Sequence, residues 1–132
     1  MKKRWISSES TVTSLYYHLL WCPKYQRDVL VDDVALRLKE LLFEKAAMID
    51  LDIVSYEIVP DCVHLLVRAK PIDSPHFIIQ QLKGYTSHAM REEFPKLKSR
   101  IPTLWTRNYY CCTVGLFSEN DINNFIKSQK NI

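Results

Sequence analysis

Two residues in an apolar run carry the clearest chemistry in this chain. They are Cys62 and His64, within Pro60-Asp61-Cys62-Val63-His64-Leu65-Leu66-Val67. On a strand, residues two apart point to the same face. A thiol and an imidazole sharing a face could hold a divalent metal. A turn, a buried cysteine and a satisfied core histidine explain the same residues. Sulfur is a soft donor, poorly suited to magnesium and better suited to zinc or another thiophilic ion. A metal-dependent hydrolase using water would need a base near His64, and Asp61 and Glu57 are the candidates. Near the C-terminus, Ile122, Phe125, Ile126 and Gln129 share one helical face. Phe125 and Gln129 are one turn apart, roughly 6 Å along the axis. Phe125 also reads as an ordinary core anchor and Gln129 as an exposed helix end.

A second chemical signal is basic and aromatic. Between Lys83 and Tyr110 lie Lys83, Arg91, Lys96, Lys98, Arg100 and Arg107, opposed by Glu92 and Glu93. Tyr85, Trp105, Tyr109 and Tyr110 are interleaved with them. Cations for phosphate and rings for base stacking suit nucleic acid, with Lys83, Arg91 and Arg107 as the candidate contacts. A solvated helix face followed by a basic loop fits equally. Gly84 within this stretch allows close approach of a backbone or a phosphate, and also reads as a tolerated glycine.

The bulk numbers set the frame. The chain has 132 residues, of which 47% are hydrophobic, enough for one folded domain spanning residues 1–132. Net charge is a mild +3. The four cysteines, Cys22, Cys62, Cys111 and Cys112, match no zinc-ribbon or finger spacing. Cys111 and Cys112 are adjacent and would face opposite sides of a strand. No signal peptide or membrane-spanning run is visible, so a cytoplasmic location is expected.

The elements that must position these residues follow from periodicity. Ser14–Cys22 reads as a strand ended by Pro23, and Lys24–Asp28 as a polar loop. Asp32 or Asp33 can cap a helix to about Ile49, with Val34, Leu38, Leu41, Leu42 and Ile49 on one stripe. Leu51–Val59 and Val63–Ala69 read as a hairpin turned at Pro60-Asp61. Ser74 as cap and Pro75 at the first position start a helix to about Phe94, with Ile78, Leu82, Tyr85, Ala89 and Met90 inward. Pro95–Pro102 reads as a loop and Asn108–Val114 as a strand. Gly115–Glu119 reads as a turn, with a final helix from Asn120 or Asp121 to Gln129. The order β-α-β-β-α-β predicts an α+β, ferredoxin-like antiparallel sheet with both helices on one face, plus a C-terminal helix.

The chain resembles the small single-tyrosine HUH transposases of IS200-like insertion sequences. The segments that carry the resemblance run nearly end to end. They are Tyr17-His18-Leu19-Leu20-Trp21-Cys22-Pro23-Lys24-Tyr25, Arg27-Asp28-Val29-Leu30-Val31, Val59–Val67, Leu82-Lys83-Gly84, Leu104-Trp105, Thr113-Val114-Gly115 and Phe125-Ile126-Lys127-Ser128-Gln129. The resemblance implies metal-assisted cleavage and strand transfer of single-stranded or hairpin DNA by a homodimer. A tyrosine forms the phosphotyrosine link, while two histidines and a glutamine hold magnesium or manganese. His64 and Gln129 match that pattern. Cys62 stands where the first histidine belongs and Phe125 where the nucleophilic tyrosine belongs. A phenyl ring has no hydroxyl, so the covalent chemistry is expected to be absent or impaired. Tyr85, Tyr109 and Tyr110 are the other tyrosines that could approach the site. The alternative is a non-catalytic nucleic-acid-binding or regulatory module on the same fold. An RNA-recognition version would want aromatic residues on its central strands, which Val63–Val67 lacks.

Overall fold

The structure is a computed structural model, and it describes residues 6–7, 12–100 and 102–114. Ile6–Ser7 (β1) and Val12–Thr13 (β2) form a small antiparallel pair. The body comprises β3 (Leu15–Trp21), α1 (Asp32–Met48), β4 (Asp52–Val59), β5 (Cys62–Ala69), α2 (Pro75–Glu93), α3 (Pro95–Arg100) and β6 (Tyr110–Val114). The sheet order is β4-β5-β3-β6, every neighbouring pair antiparallel. This is the expected ferredoxin-like arrangement.

Alternation along the strands explains the layering. Val63, Leu65, Val67 and Ala69 of β5, with Leu19 and Trp21 of β3, pack in one core with Val34, Leu38, Leu41 and Leu42 of α1 and Ile78, Ile79 and Leu82 of α2. The intervening residues of the two central strands turn to the other face. There Tyr16 and Leu66 form a small second cluster, joined by Val54.

The helix ends show why the chain punctuates where it does. Ser74 accepts the Phe77 N–H at 3.0 Å, and Pro75 opens α2, as expected. The expected Asp32 or Asp33 cap of α1 is corrected: Val31 holds the cap position without a side-chain bond. The two aspartates instead lie in the first turn, where they complement the helix dipole. The C-terminus of α1 closes without glycine. Asp50 takes φ 55°, while Leu51 N–H bonds Ala46 O at 2.8 Å and Asp50 N–H bonds Ala47 O at 3.3 Å. That is a Schellman closure with aspartate in the left-handed position.

The expected loop 95–102 is also corrected, because Pro95–Arg100 is a short helix. Proline after Phe94 forces that residue out of the helical region and then starts a new turn. Buried Leu97 seats this helix in the core. The last strand begins at Tyr110, two residues later than expected. The anticipated turn 115–119 and final helix lie outside the described residues.

Candidate active site

The site face is the side of the sheet away from α1 and α2. Cys62, His64 and Leu66 of β5 point there, as Cys62 and His64 were expected to share a face. Their neighbours come from both flanking strands. His64 lies opposite Leu20 of β3 and Glu57 of β4, while His18 lies opposite Leu66 of β5 and Cys112 of β6. His18 and His64 are both buried, with ring centroids 5.8 Å apart. Tyr110 approaches His18 edge-on at 6.2 Å. His18 is thus a site-face residue that sequence reading passed over. Its signal was its place in the alternation of β3, a lone polar side chain among Tyr16, Leu20 and Cys22.

Burial, and then the neighbouring charge of His64, lower the His18 imidazole to a pKa of about 4. It is therefore neutral near pH 7. Cys62 is displaced in the other direction. Burial and the sulfur of Cys22 push its thiol far above the ordinary range, so it stays protonated. The two sulfurs are 3.1 Å apart.

This chemistry bears on the metal that the resemblance implies. A soft sulfur held against a second sulfur offers no oxygen donor to a hard cation. Among the described residues, no group of three or more His, Cys, Asp or Glu side chains is placed to hold a metal ion. Cys62 therefore does not fit as a ligand for magnesium or manganese. Phe125 and Gln129 lie outside the described residues.

The basic candidates divide into different roles. Lys83 donates from Nζ to Thr106 O at 2.6 Å and to Asn108 O at 3.4 Å. It clamps the segment before β6, and burial lowers its pKa. Arg107 is exposed beside it in a groove of about 480 Å³ that also includes His76, Gln80 and Tyr109. The Tyr109 hydroxyl pairs with His76 Nδ1 at 3.0 Å. Arg91 lines a second groove with Gly84, His88 and Lys98. Nothing lies within 4 Å of a Cβ placed on Gly84, so no described backbone requires glycine there.

Two aromatics grouped with the cations do other work. Trp105 is a core residue, packed edge-on against Trp21 at 5.9 Å and anchored by Nε1 to Thr86 Oγ1 at 3.0 Å. Tyr85 donates its hydroxyl to Glu44. Of the three alternative tyrosines, Tyr110 alone has its ring beside His18.

Residues 11–129 match the family described as IS200-like transposases. The chain belongs to that family. The IS200-like match is supported by the ISDra2 transposase TnpA of Deinococcus radiodurans, 38% identical over 120 residues, covering 89% of this chain and 86% of the relative. The IS200 transposase of Salmonella typhimurium is 30% identical over 115 residues, covering 86% of this chain and 75% of the relative. A crystal structure of a protein from Deinococcus radiodurans, itself assigned as a transposase, superposes with a TM-score of 0.78 at 37% identity and covers 98% of both chains. A REP-associated tyrosine transposase bound to a REP hairpin shares the fold at a TM-score of 0.63 and 10% identity, over 96% of this chain and 68% of that one.

Proposed function

We propose that this chain is an IS200-like transposase-family protein that binds single-stranded or hairpin DNA, with its own covalent strand transfer absent or impaired. The observation that carries the impairment is the Cys62 sulfur lying 3.1 Å from Cys22, at a position where the family pattern has a histidine. Phe125, at the position of the nucleophilic tyrosine, has no hydroxyl to attack a phosphodiester. DNA binding is supported by the family match over residues 11–129 and by exposed Arg107 beside Tyr109. A protein of this fold holds a DNA hairpin in its own structure.

The test uses labelled single-stranded hairpin DNA with manganese, resolved on a denaturing gel. The unmodified chain binds the hairpin and forms no protease-sensitive adduct. Phe125→Tyr combined with Cys62→His forms one, and Cys62→His raises manganese affinity in calorimetry. An adduct from the unmodified chain overturns the impaired reading and points to Tyr110, which lies beside His18. Equal affinity for hairpin and linear duplex overturns the DNA preference.

The functional unit in this reading is a homodimer. Among the described residues, β4 and β6 are the edges of the four-stranded sheet, and an unpaired edge is a surface for a second copy. A monomer mass across a wide concentration range in light scattering removes the dimer.

A further inference from the structure

The geometry points to Cys22 and Cys62 as a covalent modification site, a cross-strand dithiol that small-molecule disulfides oxidise to an intrachain disulfide. Both cysteines are free thiols. Trp21 of β3 lies opposite Val63 of β5, so one further step along the antiparallel register sets Cys22 opposite Cys62. Directly opposed residues on antiparallel strands have Cα atoms about 4.5–5.5 Å apart. That lies within the range a disulfide spans, about 4.4–6.8 Å. The side chains already converge, with sulfurs 3.1 Å apart. A disulfide needs about 2.05 Å, so closure requires about 1 Å of side-chain movement.

The other two cysteines lack this arrangement. Cys111 pairs with Leu19 and packs against the main core, whereas Cys112 lies opposite His18. Their side chains leave the strand on opposite faces. Selectivity for the Cys22–Cys62 pair therefore follows from the register of β3 and β5.

Accessibility orders the two steps. Cys22 is half-buried and Cys62 buried, so the Cys22 thiolate meets the oxidant first. It attacks one sulfur of a glutathione-type disulfide. That S–S bond breaks, and one thiolate leaves and takes up the proton that Cys22 gave up. The Cys62 sulfur, losing its own proton, then attacks the Cys22 sulfur of the mixed disulfide. The second small thiol leaves with that proton. In sum, the two cysteines lose two electrons and two protons, and one small disulfide becomes two thiols. The bond ties the end of β3 to the start of β5 and constrains the unfolded chain between them.

The experiment treats the folded full chain with oxidised glutathione, blocks remaining thiols with iodoacetamide, and maps peptides under non-reducing conditions. The expected product joins Cys22 to Cys62, has lost the mass of two hydrogens, and carries alkylated Cys111 and Cys112. Its urea midpoint rises above that of the reduced chain and returns on reduction. In Cys62→Ser the reaction stops at a glutathione adduct on Cys22. Alkylation of both Cys22 and Cys62 after oxidant treatment overturns the proposal. So does a separate glutathione on each, or a bond that joins Cys111 to Cys112. None of these readouts involves DNA, so they stand or fall apart from strand transfer.

Discussion

The indole Nε1 of Trp105 donates to Thr86 Oγ1 at 3.0 Å, and that hydroxyl in turn donates to Leu82 O at 2.7 Å. A loop aromatic is thereby fastened to the inward face of α2. Thr86→Val keeps the shape and removes the acceptor. The buried indole N–H then has no hydroxyl to meet, a loss of about 1–3 kcal/mol. Urea denaturation of the variant should show a lower midpoint with an unchanged slope. An unchanged midpoint means that the bond contributes nothing to stability.

His18 gives the fold a pH dependence. Its folded pKa of about 4 lies below the ordinary value of 6.5. Between those values the unfolded chain binds more protons than the folded one, so stability falls as pH drops through this window and is fully present above it. Among the described residues, the groups that face it include His64 on β5 and Tyr110 and Cys112 on β6. A shift of this size corresponds to no more than about 3 kcal/mol. Urea titrations with chelator between pH 7 and 4 should show the loss, and His18→Asn should flatten the profile. An equally steep profile in the variant assigns the dependence to other groups.

Gly84→Ala should stabilise the free protein by roughly 0.5–1 kcal/mol, because the added methyl meets nothing within 4 Å and alanine favours helix. Thermal unfolding measures the gain. A simultaneous drop in hairpin affinity would place a phosphate against this turn of α2, beside Arg91 and Lys98. Unchanged affinity makes Gly84 a tolerated glycine.

Arg107 and Lys83 should separate in a salt titration. Removing one phosphate contact lowers the slope of log affinity against log salt by about 1. Arg107→Ala should do this at unchanged stability. Lys83→Met should lower stability as well, because two carbonyls of the segment before β6 lose their donor. Equal stability in both variants would end the structural role of Lys83.

Much of the fold was legible in local pattern. Ser74 before Pro75 marked the start of α2, and the two-residue spacing of Cys62 and His64 set their common face. The end of α1 near Ile49 was legible, but its mode of closure was not, because the left-handed position at Asp50 carries aspartate rather than glycine. Trp105 read as a base-stacking ring because its sequence neighbours are basic. Its actual partners, Trp21 and Thr86, are fixed by sheet order and helix packing. Cys22 and Cys62 stand 40 residues apart, and only the β3–β5 register brings their sulfurs together. His18 was hidden for the same reason, since its neighbours come from β5 and β6.

The strand order also sets a sequence of assembly. β4 and β5 are joined by Pro60-Asp61 alone, so they can zip together with little loop entropy to overcome. β3 must find β5 across a whole helix and strand, and β6 must find β3 across most of the chain, pairing Tyr110 with Leu20. Contacts between such distant segments form slowly. β6 is therefore expected to dock last in folding and to open first, exposing the edge beside His18 while the β4–β5 hairpin stays closed. Amide exchange should reveal that hierarchy as faster exchange in 110–114 than in 62–69.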